Sequence, residues 1–145
     1  MTDRTDHLKS LHTALIDARN GYKEALEDAE GKGMTSLFRE LMMLHTRDAD
    51  VLATHLNALG EVVDDNGSFM STVHRTVMNI RSLFGGLDES ILPGLIDGEE
   101  RILGYYDESI QTSATGTAEH TALVTQRQAL HQKIADMKMR KDMAA

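Results

Sequence analysis

Residues 92–110 read LPGLIDGEERILGYYDESI. Wound on a helix at about 100° per residue, Leu92, Leu95, Ile102, Leu103, Tyr106 and Ile110 fall on one apolar stripe about 80° either side of Leu92. Glu99 falls at the centre of that stripe, while Glu100 points well away. A carboxylate on a core-facing stripe is costly unless something bonds it. The stretch therefore predicts a core helix over about 90–111, started near Asp88 or Ser90, and marks Glu99 as a group that needs partners from other helices. Pro93 sits in the first turn, where proline is tolerated. Gly98 and Gly104 lie inside the helix at a cost of roughly 1 kcal/mol each against alanine; two readings fit, a close helix approach beside the carboxylate or drift with no packing role.

Outward from this helix the pattern repeats. Leu8, Leu11, Leu15, Ala18, Tyr22, Ala25, Leu26 and Ala29 recur at three- and four-residue steps and predict a helix over about 6–30. Thr5 or Asp6 is suited to cap its start, and Gly31 and Gly33 to stop it. Met34, Leu37, Phe38, Leu41, Leu44, Val51, Leu52, Leu56 and Leu59 predict a second helix over about 35–59, ended by Gly60. Three polar residues, His45, Asp48 and His55, intrude on its apolar face. After the turn-rich connector 60–67, Ser68 reads as an N-cap, and Phe69, Val73, Val77, Ile80 and Phe84 predict a short helix over about 69–84. TSATGT at 112–117 is a polar break. Leu123, Leu130, Ile134 and Met137 make the seam of a last helix over about 118–141, with Gln126 and His131 at its edges.

Four long helices and one short one fit a single all-α domain over 1–145. Short connections make the first and last helix pairs antiparallel neighbours. The long middle connection can carry the chain back along the bundle. One such crossover between helices two and three is the ferritin-like arrangement of a four-helix bundle.

Composition limits the partners. The chain has 145 residues, 41% hydrophobic and 26% charged, with a formal net charge of -8. Such a surface repels nucleic acid and anionic membrane. No stretch is apolar for long enough to span a bilayer, and the N-terminus carries no cleavage signature, so a cytoplasmic location is expected. With no cysteine, disulfides, thiolate nucleophiles and cysteine zinc sites are excluded. The basic group Lys138, Arg140 and Lys141 suits the negative end of a C-terminal helix. There is no phosphate-cradling glycine loop, no Gly-x-Ser-x-Gly elbow and no basic–aromatic stripe.

Several short pieces, in order, carry a resemblance over nearly the whole chain. They are Asn20-Gly21-Tyr22, Leu37-Phe38, Leu59-Gly60, His74-Arg75, Gly98-Glu99 with Tyr106, and His131-Gln132-Lys133-Ile134. The chain resembles a bacterial family of ferritin-like four-helix bundles, classed mainly as a domain of unknown function and sometimes linked to stress response. The resemblance implies the fold and a bacterial origin, and no established activity.

Di-iron proteins of that fold take two Glu-x-x-His pairs and two further glutamates, all facing inward. Glu-x-x-His occurs nowhere in this chain. Helix two offers His45-x-x-Asp48, the last helix Gln128-x-x-His131, and helix three Glu99 alone. Asp17 and Glu24 lie opposite Leu11 and Tyr22 on the first helix, so no carboxylate from it is expected in the core. Two carboxylates and two histidines still suffice for one ion, which leaves His45, Asp48, Glu99 and His131 as candidate ligands of a single divalent metal. The competing expectation is a buried hydrogen-bonded cluster of Tyr22, His45, Asp48, Arg75 and Glu99 with no cofactor.

Two functions follow: a non-enzymatic, stress-associated or interaction bundle working as a homodimer or with another protein, or a ferritin-like oxidase or ferroxidase relic that binds iron, manganese or zinc. His7, His12 and His120 are expected at the surface or a seam edge, and His55 reaches water from the end of its helix. Met34, Met42, Met43 and Met137 read as core filler, Met70 and Met78 as partner contacts, and Tyr105 as a surface residue.

Overall fold

The computed structural model describes residues 2–28, 34–63 and 91–144. Among these the chain forms four helices and no strand: α1 (Thr2–Asp28), α2 (Thr35–Ala58), α3 (Leu92–Thr112) and α4 (Ala118–Ala144). The helix expected over 69–84, the crossover that would carry it, and Arg75, Met70 and Met78 lie outside the described residues.

Helix ends follow local chemistry. Glu61 N–H bonds Leu56 O and Gly60 N–H bonds Asn57 O, both at 3.0 Å, with Gly60 at φ +83°. This left-handed C-terminal closure takes up carbonyls that the helix leaves unpaired. Thr117 caps α4, its Oγ1 accepting the His120 N–H at 3.1 Å. Pro93 lies in the first turn of α3. α1 begins at Thr2 rather than near Asp6, and Arg4 in this added turn reaches Glu119 of α4. At Gly104 a Cβ meets nothing within 4 Å, so of the two readings it is the one without a packing role that fits there.

Side-chain contacts set the directions. Lys9 Nζ lies 3.2 Å from Glu61 Oε1, beyond the end of α2, while Tyr22 stacks on His45, so α1 and α2 are antiparallel. His7 meets Thr112 and Tyr22 meets Glu99, so α1 and α3 are also antiparallel. α2 and α3 therefore point the same way. Arg127–Asp107 at 2.5 Å and Lys138–Glu100 at 3.1 Å pair α3 with an antiparallel α4. α1 packs broadly on α2 and on α3, and α3 on α4; the contact between α2 and α4 is the thinnest of these.

The seam residues are buried as expected, with Leu11, Leu15, Tyr22, Phe38, Leu41, Leu52, Leu56, Leu92, Leu95, Tyr106 and Leu123 fully excluded from water. Tyr22 meets Phe38 edge to face at a centroid distance of 5.2 Å.

Other expectations are corrected. α1 buries a second face: His12 and Ile16 are buried, and so is Asp17, so the first helix does bury a carboxylate. A polar residue on such a face looks solvent-directed when only the main apolar stripe is followed. Met43, 62% exposed, is not core filler, and Val51 and Leu59 are exposed at the edges of the α2 stripe. Tyr105 is at the surface, as expected.

Candidate functional site

The second-helix intrusions and the third-helix carboxylate come together. His45 and Asp48, three residues apart, lie on one inward face of α2, while Glu99 and Tyr106, two turns apart, do so on α3. Tyr22 enters from α1 and Gln126 from α4, and all six are buried.

Glu99 is 0% exposed and His45 1%. The Tyr22 hydroxyl donates to Glu99 Oε2. His45 Nε2 lies between the two carboxylate oxygens, 2.9 Å from Oε1 and 3.0 Å from Oε2. A carboxylate only accepts, so Nε2 carries the proton. The Tyr22 ring stacks on the imidazole at 6.1 Å, which fixes both donors against the acid. Nearby, the Tyr106 hydroxyl donates to Gln126 Oε1 at 2.9 Å, and Gln126 Nε2 donates to the Asp48 main-chain oxygen at 3.4 Å. Side chains of all four helices thus meet in one buried polar region.

The electrostatics follow from burial and charge. Burial pushes the His45 pKa down, but the Glu99 charge and hydrogen bond, helped by Asp48, leave it above the ordinary histidine value. Burial raises the Asp48 carboxyl, and His45, Arg47 and Tyr106 offset only part of that. Arg47 Nε is 3.7 Å from Asp48 Oδ1, and the Arg47 side chain is mostly solvated. Burial and the neighbouring carboxylates hold Tyr22 and Tyr106 well above the ordinary phenol range, so both stay protonated donors.

The residues singled out in the sequence separate in space. Tyr22, His45 and Glu99 are bonded together, and Asp48 lies within electrostatic reach of His45. His131 is corrected: it is exposed, because Leu130, Ile134 and Met137 carry the α4 seam and its ring turns outward. Arg75 is outside the described residues. Among the described residues no group of three or more histidine, cysteine or acidic side chains is arranged to hold a metal ion; of the four candidate ligands His45, Asp48 and Glu99 are buried and His131 is exposed. One buried ring nitrogen, His45 Nδ1, has no hydrogen-bond partner among the described residues.

The Tyr106–Gln126 pair was missed. Its signal was a tyrosine on a core stripe, whose hydroxyl must find a partner, and an amide at the edge of the α4 seam. A second polar group at the other end of α1 was also missed. There Arg4 Nε lies 3.1 and 3.0 Å from the Glu119 oxygens and one terminal guanidinium nitrogen 2.5 Å from Oε1. Beside it His120 Nδ1 bonds Ser113 Oγ at 2.8 Å.

As chemistry, the central cluster is a set of buried donors and acceptors bonded across helices. Both Glu99 oxygens are engaged, and both phenols are committed as donors. No curated protein matches the chain, and no solved structure matches it. A family model does, over residues 3–112: Domain of unknown function (DUF2383).

Proposed function

The chain belongs to that family of unknown function, and from this premise we propose that it is a non-catalytic ferritin-like bundle, a single domain acting in the cytoplasm through its surface. Its role is that of a stress-associated or interaction protein, without a resident cofactor. The central polar cluster serves register rather than turnover: a buried acid that must meet Tyr22 and His45 penalises any helix sliding that separates them. The observation that carries this reading is the Glu99 carboxylate, wholly buried with both oxygens engaged by Tyr22 and His45. A metal ion at Glu99 would compete with those donors for the carboxylate lone pairs.

The rival is a single divalent ion held by a ferroxidase-like relic site. It is favoured by His45 Nδ1, a buried ring nitrogen with no partner among the described residues, on the same helix face as Asp48. Elemental analysis of protein purified without a histidine tag separates the two. The structural reading expects iron, manganese and zinc far below one per chain, unchanged in Glu99→Gln. Stoichiometric metal that disappears in Glu99→Gln would sink it.

A further inference from the structure

We propose that the open α2–α4 side of the bundle is the surface on which two copies of this chain associate. The proposal rests on the reading of the protein as an interaction bundle and names the occupant of its surface.

A groove of about 580 Å³ runs between α2 and α4, with Met43, Leu44 and Ala129 among its lining residues. Met43 is 62% exposed there, and Val51 continues the same α2 stripe at 37%. An exposed methionine is a side chain that adapts to a partner surface. An apolar strip inside a charged rim is the usual anatomy of a contact surface.

Charge selects the occupant. The rim carries Glu40 and Asp136 against Arg47 and Lys133, so it is balanced on a chain whose formal charge is -8. Copies of an acidic protein repel one another across most of their surface, and least where the local charge cancels. A two-fold contact places a patch against itself, so the patch must be self-complementary. Glu40 and Arg47 are seven residues apart on α2, about 10 Å at 1.5 Å per residue, and Met43 and Leu44 lie midway. A two-fold axis crossing α2 at that midpoint sets Arg47 of each copy opposite Glu40 of the other and packs the two apolar pairs together. Arg47, 70% exposed and only 3.7 Å from Asp48 within its own chain, is available for this. Glu40 keeps its Lys133 bond at 2.7 Å and gains a second cation.

Sedimentation equilibrium on the full chain tests the contact, over about 1 to 500 μM protein and at low and high salt. The expected species is a dimer, weakened by salt. Met43→Asp should raise its dissociation constant about 30-fold, with the helical circular dichroism unchanged. Arg47→Glu and Glu40→Arg should each raise it about tenfold, and the two together should restore it to within about threefold, because the swap exchanges the signs across the axis. A monomer at every concentration overturns the proposal and leaves the groove to a different protein. A dimer indifferent to Met43→Asp, or a double swap no better than its singles, overturns it too. Metal content of the same samples decides the preceding reading separately.

Discussion

The bundle holds two carboxylates between helices in opposite ways. Glu99, at 0% exposure, meets a histidine that is 1% exposed; Glu119 is buried too, but its partner Arg4 is 36% exposed. Both acids have good hydrogen-bond geometry, so geometry does not separate them. Water access does. If Arg4 is lost, solvent can reach the place it occupied. If Glu99 is lost, His45 and Tyr22 stay buried with nothing to bond. Bond length is therefore a poor guide to what a pair contributes, and the exposure of the less buried member is a better one.

The sharpest attempt to break that contrast is Glu99→Ala. It should cost about 3 kcal/mol in urea unfolding by leaving two buried donors unmatched. A loss no larger than that of Arg4→Ala would break the comparison outright.

The pH dependence is next in size. The folded His45 pKa is raised above the unfolded value, near 6.5. Protonation therefore favours the fold. The contribution is fully present below the unfolded value and is lost as pH rises through the higher folded value. Measured against His45→Gln, the wild-type advantage should shrink as pH rises from 6 towards 9; an advantage that grows would reverse the assignment. Arg4→Ala should cost only about 0.5–1 kcal/mol, and less in high salt; an effect insensitive to salt would mean that the Arg4 site excludes water as the Glu99 site does. The smallest effect should carry the opposite sign. Gly104→Ala, on the same helix as Glu99 but facing open space, should stabilise by about 0.5–1 kcal/mol in thermal unfolding.

Those two acids also show what can be read from a sequence. Glu99 was legible because it interrupts a regular apolar stripe. Tyr22 and His45 were legible as its company because each lies on the core face of its own helix. The bounds of α2 and α3 followed from a glycine stop and a first-turn proline, both local signals. Glu119 was not legible, since it sits in the first turn of α4, where an acid has an ordinary reason to be. Asp17 and His12 were misread because α1 buries a second face, and periodicity resolves only the more apolar of two faces. His131 was misread because an edge position on a helical wheel turns inward or outward according to neighbours that one helix does not reveal. Met43 failed for the same reason at the edge of α2.

The neutral phenols have an optical consequence. The chain has no tryptophan and three tyrosines, so its near-ultraviolet spectrum belongs largely to Tyr22, Tyr105 and Tyr106. Tyr22 and Tyr106 are fully buried and resist ionisation, whereas Tyr105 stands at the surface. In alkali the two buried rings should keep their neutral absorbance until the helices part, then change together. The protein carries its own chromophores for the opening of its core, one of them bonded to the buried carboxylate that links α3 to α1 and α2.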